Sequence, residues 1–511
     1  MLRRALLVVC AALALGGCLR RATFDNCQQD GDCATASAAG HCEADHACSV
    51  DDSACPGSGH RYVPSAPAGA VCVAPPDAAP DTAPGLDATP DAATSTGREC
   101  IKGGARAADT PCATTVCTRE PRCCTEQWDA TCVRIAETEC PLACSTMAFV
   151  GGNHATVFRT SDWSELWTDT VNQDDDGTRG GYWADYDGDG DEDLATVGNY
   201  QLNIYENKGL SGGALTFSHP YSQPWKQIGG NDTIDGRTGA WGDFDGDHDL
   251  DLVFGGFGGL VTIENQGGVF AVKQVLLHAP LATDTDAAPY NDQVATVAWG
   301  DVDGDGDLDL LVGLEFAAAR LYLNDGSGTL APAAWAGPNG VESIQFCNLD
   351  TTPKPEVVIS GADGLSVFEL TGSTIEDKTQ ATAVATNVWL VETRCGDLDH
   401  DHDLDLFSTT WGAAPRAYRN TNQTLAGLTQ AWIDTGAQPY QWGVDLGDLD
   451  GDHKLEAIAS GNGFGPPMKI QVYRNGSTNQ NQSIEFTVEA PIGGANMITS
   501  NDIELGSLPT P

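Results

Sequence analysis

A nine-residue acidic stretch recurs along the C-terminal two-thirds of the chain at nearly constant spacing. The clearest copies are WADYDGDGDEDL from Trp183, WGDFDGDHDLDL from Trp241 and WGDVDGDGDLDL from Trp299. CGDLDHDHDLDL from Cys395 and LGDLDGDHKLEA from Leu446 follow, with a degraded copy, FCNLDTTPKPEV, from Phe346. With the ninth loop position as a marker, the copies fall at Asp193, Asp251, Asp309, Glu356, Asp405 and Glu456, separated by 58, 58, 47, 49 and 51 residues. Recurrence in phase is the mark of a repeat architecture, in which each unit buries its faces only against its neighbours.

Each copy continues with a short apolar run such as LDLLVG, a Gly-rich turn and an alternating segment such as RLYLND, IYENK, AYRNT or VYRNG. Apolar alternation bounded by Gly, Asn and Asp is strand chemistry. About four short strands per unit of about 50 residues predicts the blade of an all-β propeller. The ends supply one more blade between them. AFVGGNHATVFRT from Ala148 matches the segment after the loop, and ANMITSNDIEL near the C-terminus matches the segment before and through it, with Glu504 lying 48 residues after Glu456. Joining both termini in one sheet removes an exposed edge, and the prediction is a seven-bladed β-propeller.

This region, roughly Met147 to Leu508, resembles the FG-GAP and VCBS repeat families, whose fold is the β-propeller of the integrin alpha chain. The resemblance implies calcium in the acidic loops, with side-chain ligands at loop positions 1, 3, 5 and 9 and a backbone carbonyl at position 7. The carboxylates concerned are Asp185, Asp187, Asp189, Asp191 and Asp193 in the first copy, then Asp243, Asp245, Asp247, Asp249 and Asp251. The third copy has Asp301, Asp303, Asp305, Asp307 and Asp309, and the fifth has Asp397, Asp399, Asp401, Asp403 and Asp405. The sixth has Asp448, Asp450, Asp452 and Glu456, with Lys454 at position 7, which predicts weaker binding. So many anions in nine residues repel one another unless a hard divalent cation seeking six to eight oxygens sits among them. About five structural calcium sites are expected. The Asn348 loop, with Thr352 and Pro353 in its middle, is not expected to bind. Position 6, where the chain turns sharply, holds Gly190 and Gly306 or His248, His402 and His453, residue types that tolerate positive φ.

The rest of the chain speaks to export. Arg3 and Arg4 precede the apolar run ALLVVCAALAL, which ends in Leu15-Gly16-Gly17-Cys18. The run is too short to span a bilayer and is built like a secretory signal, 1–17. Its ending resembles the lipobox of bacterial lipoproteins, which implies a lipid on Cys18, and Leu19 after it favours the outer membrane or cell surface. Cys27, Cys33, Cys42, Cys48, Cys55 and Cys72 form a first even cysteine group, in a module over 18–72, and evenness in an exported chain points to disulfides. A Pro/Ala/Asp-rich linker over 73–98 follows. The second group is Cys100, Cys112, Cys117, Cys123, Cys124, Cys132, Cys140 and Cys144, over 99–145, with Trp128, Val133 and Ile135 spaced as one face of a short helix. Both modules read as spacers or docking knobs between the lipid and a propeller over 146–511.

Lys+Arg number 26 against 72 Asp+Glu, a net charge of −46, which argues against phosphate-backbone binding. Strand direction places the turn after each second strand on the rim opposite the acidic loops. There stand Tyr200, Phe257, Phe316, Asp363, Trp411 and Phe464, with His154 in the terminal blade, and neighbouring loops add Trp225, Tyr290, Trp335, Trp389 and Tyr440. Such aromatics either stack on a ligand or pack between blades; Tyr200, Phe257, Phe316, Trp411 and Phe464 are the candidate ligand residues. Cys347 and Cys395, one residue out of phase in adjacent copies, point to opposite sheet faces and suit an interblade disulfide. No catalytic motif is present. His154, Lys226 and Arg320 are candidate bases for a lyase-like enzyme, but no motif orients them. The sequence therefore favours a surface-anchored, calcium-stabilised binding or adhesion protein with a glycan or protein ligand, over a polysaccharide-active enzyme or a purely structural envelope protein.

Overall fold

The computed structural model describes residues 40–42, 48–51 and 60–62 and, with short gaps, 98–508. The signal stretch 1–17, Cys18, Cys27, Cys33, Cys55, Cys72 and the linker 73–97 lie outside the described residues, as do Trp225, Lys226, Tyr290 and Phe464. Two compact units divide the chain, Met1–Ala92 and Ala93–Pro511. In the first, Gly40–Cys42, Cys48–Asp51 and His60–Tyr62 form a small antiparallel sheet.

The second unit contains seven four-stranded antiparallel sheets. Blade one is Gly180–Ala184, Asp193–Gly198, Gln201–Ser211 and Ala214–Pro224. Blade two is Asp235–Gly242, Asp251–Phe257, Gly259–Asn265 and Phe270–His278. Blades three to six run from Val294 to Asn339, Val341 to Asp377, Leu390 to Ile433 and Val444 to Val488. The seventh joins Ile503–Gly506 to Met147–Val150, Thr156–Arg159 and Glu165–Thr168, with Ile503 opposite Val150 and Gly506 opposite Met147. Each first strand touches the first strand of the next blade, and the seventh touches the first, so the ring closes. In this register Met147 holds the place that Asp251 holds in blade two, and Glu504 pairs with Phe149 on the first strand. Glu504 is thus not a ninth loop position; the 48-residue spacing coincides with the period without sharing its phase.

Second strands are buried throughout, as at Asp193–Gly198, Asp309–Leu314 and Asp405–Thr410, because neighbouring blades cover both faces. That is why they read as continuous apolar runs and not as alternation. The Trp that precedes each of the first three loops fastens one blade to the last: Trp241 Nε1 donates to Tyr182 O at 3.1 Å, and Trp299 Nε1 to Ala240 O at 3.2 Å. Close approach of these rings requires glycine opposite, since a Cβ on Gly242 would lie 2.8 Å from the Trp299 ring. The expected disulfide between Cys347 of blade four and Cys395 of blade five is present.

Residues 98–144 fold around four disulfides, Cys100–Cys144, Cys112–Cys140, Cys117–Cys124 and Cys123–Cys132. Helix α1, Pro111–Arg119, opens with proline at its first position, where the missing N–H costs nothing, and Thr110 caps it by accepting from Ala113 N. Helix α2 is Arg122–Thr125, and α3, Ala130–Glu139, is capped by Asp129. Trp128, fully buried just before α3, donates from Nε1 to Glu99 O at 3.1 Å. The expected single helix face of Trp128, Val133 and Ile135 does not form: Trp128 lies in the short strand Gln127–Trp128, and α3 is buried all round from Thr131 to Glu137 because it is packed between the module and the ring.

Acidic loops, a plugged rim and an open channel mouth

Each acidic loop is wound on its own carboxylates. The position-1 aspartate accepts the N–H of position 6: Gly190 N to Asp185, His248 N to Asp243, Gly306 N to Asp301, His402 N to Asp397 and His453 N to Asp448. That backbone has positive φ at every position 6, from +67° at His453 to +98° at Gly306, so the histidines stand where glycine would, as expected. The position-9 carboxylate closes the loop with both oxygens. In blade three Asp309 accepts Val302 N at 3.0 Å and Asn324 N at 2.9 Å.

The same asparagine is a second interblade fastening. Asn324 Nδ2 donates to Leu308 O of its own loop at 3.0 Å and to Phe244 O of the preceding loop at 2.6 Å. Asn265, Asn420 and Asn475 repeat the reach to the preceding blade. Sequence reasoning left this residue unassigned, although it recurs inside every alternating segment quoted above.

Five triads bring one oxygen from each member within 4.8 Å of the others: Asp185, Asp187 and Asp193; Asp243, Asp245 and Asp251; Asp301, Asp303 and Asp309; Asp397, Asp399 and Asp405; Asp448, Asp450 and Glu456. These are positions 1, 3 and 9. Oxygens suited to a cation are left over, because Asp185 Oδ1, Asp245 Oδ1, Asp397 Oδ1 and Asp399 Oδ1 are buried without a hydrogen-bond partner. Burial pushes Asp193 and Asp251 up to about 8 and Asp397 to about 7, with neighbouring aspartates adding to it. Removing a cation from such a set therefore favours protonation, and an all-oxygen set of this kind suits a hard divalent ion. The aspartates at positions 5 and 7 lie outside the triads. At position 7, Asp249 accepts Gly267 N and Asp403 accepts Gln423 N, so these side chains brace the turn after the third strand. At position 5, Asp189 and Asp305 accept the N–H two residues on, as does Asp401. Among the described residues the Asn348 loop forms no such triad, because position 1 there is an asparagine.

The second cysteine module is not a free spacer. It sits in the propeller's own compact unit, on the loop rim, and its core is continuous with Cys347, Leu349, Cys395 and Leu404 of blades four and five. It takes up N–H groups at the first position of several loops: Asp185 N donates to Lys102 O at 3.0 Å, Asp301 N to Glu126 at 3.3 Å, Asn348 N to Glu120 at 3.2 Å and Asp448 N to Glu137 at 3.3 Å. Two cations enter the ring. Lys102 Nζ donates to Leu505 O at 2.6 Å and pairs with Glu504 at 3.3 Å. Arg134 Nη2 pairs with Asp445 at 2.5 Å, while Nη1 and Nε donate to Cys395 O and Leu446 O, each at 3.2 Å. Of the spacer or docking knob expected, the spacer fails for this module, because disulfide spacing says nothing of what a module's outer face packs against.

A cavity of about 600 Å³ runs along the ring axis, with Lys102, Thr131 and Arg134 of the module at one end. At the other end stand Arg179, Arg237, Phe257, Glu315, Glu342, Trp389, Trp411 and Trp442. Phe316 is 56% exposed, Phe257 41% and Trp389 37%. Trp411 anchors a cluster, with ring centroids 6.0 Å from Trp389, 5.0 Å from Tyr440 and 4.6 Å from Trp442. Tyr200, half-buried, stands in the corresponding turn of blade one with φ of +60°. Trp442 escaped the sequence reading, although it lies two residues from Tyr440. Trp335 does not belong to the rim; it lies within the outer strand of blade three and packs edge-on against Phe368. Beside the cluster Arg237 bridges Glu315 and Glu342, the latter at 2.7 Å. Burial pushes Glu342 up to about 7 despite Arg237. Of the candidate bases, His154 lies in the turn of blade seven and Arg320 within the third strand of blade three, so they do not meet.

Fold and loops together define a seven-bladed β-propeller in which five first-to-second strand connections are acidic loops that could hold a metal ion. A family model described as FG-GAP-like repeat matches residues 185–254 and 397–459, and the chain carries FG-GAP-like repeats. Residues 98–144 match a domain of unknown function, DUF8252, which spans the disulfide-bonded plug. A search of curated proteins returns no match. Among solved structures the chain is similar to an Agrocybe aegerita lectin described as recognising non-reducing terminal N-acetylglucosamine, at 15% identity and TM-score 0.46, covering 68% of this chain and 92% of that one. It is also similar to BBS1N in complex with ARL6DN, soaked with lead, at 13% identity and TM-score 0.38, covering 64% and 91%.

Proposed function

We propose that this protein is a calcium-stabilised propeller that binds an extracellular glycan or protein ligand at the mouth opposite its acidic loops. One observation carries the reading: Trp389, Trp411, Tyr440 and Trp442 cluster at one end of an axial cavity whose other end abuts the disulfide-bonded module. Flat aromatic faces beside carboxylates and arginines suit stacking on a sugar ring or gripping a protein side chain. Calcium is the ion best matched to the loops, because magnesium demands a stricter octahedron and keeps its waters. Its role there is structural. The reading is binding without turnover, and release of product from a bound polysaccharide would replace it with the lyase-like alternative.

Export and a lipid on Cys18, at the outer membrane or cell surface, complete the proposal and rest on the Leu15–Cys18 motif. Incorporation of labelled fatty acid into the wild type and not into Cys18→Ser tests the anchor. For the ligand, calcium-loaded protein is applied to glycan and extracellular-protein arrays beside Trp411→Ala. Signal on a ligand class that the variant loses by about tenfold or more supports the mouth as the site; equal signal from both proteins removes it.

A further inference from the structure

The five triads are equivalent in backbone and unequal in what faces them. Each of these blades carries, in or just after its third strand, the asparagine whose N–H clamps the position-9 carboxylate, Asn207, Asn265, Asn324, Asn420 or Asn475. The residue just before it is Glu206, Glu264 and Leu323 in blades one to three, but Arg419 and Arg474 in blades five and six. Arg419 Nε pairs with Asp399 Oδ2, and its Nη2 stands 3.0 Å from Asp401 Oδ2. Arg474 Nη1 lies 3.4 Å from Asp450 Oδ2 and 3.5 Å from Glu456 Oε2. Asp399, Asp450 and Glu456 are triad members, so each guanidinium lies against oxygens on which a metal would draw.

The other blades differ at this third-strand position, which in blade three holds the uncharged Leu323, with Lys354 of the blade-four loop lying beside Gly304. In blade two Lys273 reaches Asp245 at 3.5 Å but is shared with Glu264 at 3.2 Å, so acid from the same third-strand position offsets it. Lys208 of blade one is paired with Glu206. The blade-six loop has a further cation, Lys454, whose Nζ lies 2.7 Å from Asp452 Oδ2. A planar guanidinium is always charged and fits two carboxylates at once, so it supplies part of the neutralisation a divalent ion would supply and must give it up when the ion arrives.

We infer that the five loops form two classes: blades one to three bind calcium tightly, whereas in blades five and six Arg419 and Arg474 are resident counter-ions that weaken calcium binding. The inference rests on the calcium reading proposed above and adds which residues set the affinity of each site. A full positive charge within about 4 Å of two ligands is worth a factor of about ten or more in affinity at the dielectric of a protein surface.

The test is calorimetric titration of the EDTA-stripped full chain with calcium chloride, with bound ions counted by native mass spectrometry. The wild type is expected to fill three sites first and two at concentrations about tenfold or more higher. Arg474→Met is expected to move one site from the weak class to the tight one, and Arg419→Met likewise. Should either variant fold poorly, Asp450→Asn in the otherwise unaltered chain is expected to delete one weak site and leave the three tight ones. Five equivalent sites in the wild type overturn the inference while leaving the calcium reading intact, as does Arg474→Met with an unchanged weak class. Absence of calcium binding at every loop overturns the calcium reading itself, and the inference with it.

Discussion

Arg134→Met asks whether the disulfide-bonded module is part of the propeller or merely attached to it. The guanidinium is 3% exposed and its partner Asp445 2% exposed, and its three hydrogen bonds end on blades five and six. Burial alone would raise the Asp445 carboxyl, but Arg134, Arg394 and Lys102 outweigh it and hold it below the usual carboxylate range. Truncating one partner of a buried pair costs about 3–5 kcal/mol, because the other charge stays behind unneutralised. Arg394 Nε, 3.8 Å from Asp445, remains after the substitution, so the lower end of that range applies. For a cooperative unit of this size that is a drop in melting temperature of about 3–6 °C. A pair at a loosely tethered surface would cost about 0–1 kcal/mol.

The assay is calorimetry of the full chain with calcium present, paired with limited proteolysis across residues 98–144. A double-mutant cycle with Asp445→Asn isolates the pair, since the second substitution should cost much less once Arg134 is gone. The pH dependence has a definite sign. A carboxyl whose folded pKa is depressed contributes stability above its unfolded value and loses it only as pH falls through the folded value. The deficit of Arg134→Met should therefore persist undiminished from pH 8 down to about 5. A melting temperature equal to wild type, with unaltered cleavage of the module, would refute the reasoning.

Chelation by EDTA should lower the melting temperature of the intact protein, and excess calcium should restore it; an unchanged melt excludes a structural ion. Asn324→Ala removes the donor to Phe244 O and Leu308 O, both loop carbonyls, and should cost about 2–5 kcal/mol in urea denaturation. Loss of less than about 1 kcal/mol would mean water replaces the amide. Glu342 carries the opposite sign from Asp445: burial raises its carboxyl from 4.5 to about 7, so the folded state keeps a proton the unfolded chain has lost. Its contribution favours folding at low pH and fades as pH rises from about 4.5 to 7, and Glu342→Gln should flatten the stability slope across that window; an unaltered slope contradicts the assignment.

Blade number, strand order and loop chemistry were legible because the repeat states them six times, and phase carries information that no single copy does. The Cys347–Cys395 bridge was legible for the same reason, since a one-residue phase difference selects the sheet face. What escaped lies between elements that share no period. Nothing in 98–144 announces that Lys102 and Arg134 are to be buried in the ring, because a basic residue in a cysteine-rich segment reads as solvated until a partner surface is known. Glu504 misled for a related reason. Spacing matched the period, but the blade that joins the two termini has no acidic loop, so the marker had no place to fall. Trp335 shows the limit of placing aromatics by loop position, since its outer strand runs past the point where a turn was expected.

The degraded copy in blade four separates two roles that the intact loops combine. Glu356 still closes that loop by accepting Leu349 N at 2.7 Å, as Asp309 and Asp405 do for Val302 and Leu398. What has gone is the carboxylate at position 1, since Asp350 still stands at position 3: Asn348 now donates from Nδ2 to Arg119 O of the module at 3.1 Å, and its backbone N–H goes to Glu120. Position 9 is therefore demanded by the backbone, which needs an acceptor between two strands whether or not an ion is present. The position-1 carboxylate serves the cation, and can be given over to protein contacts where the module lies against the rim, while Asp350 at position 3 keeps its bond to Thr352 N. Blade four thus folds without a triad because the module supplies contacts at that rim, and the dependence of the ring on calcium should be greatest in blades where nothing but the ion draws those carboxylates together.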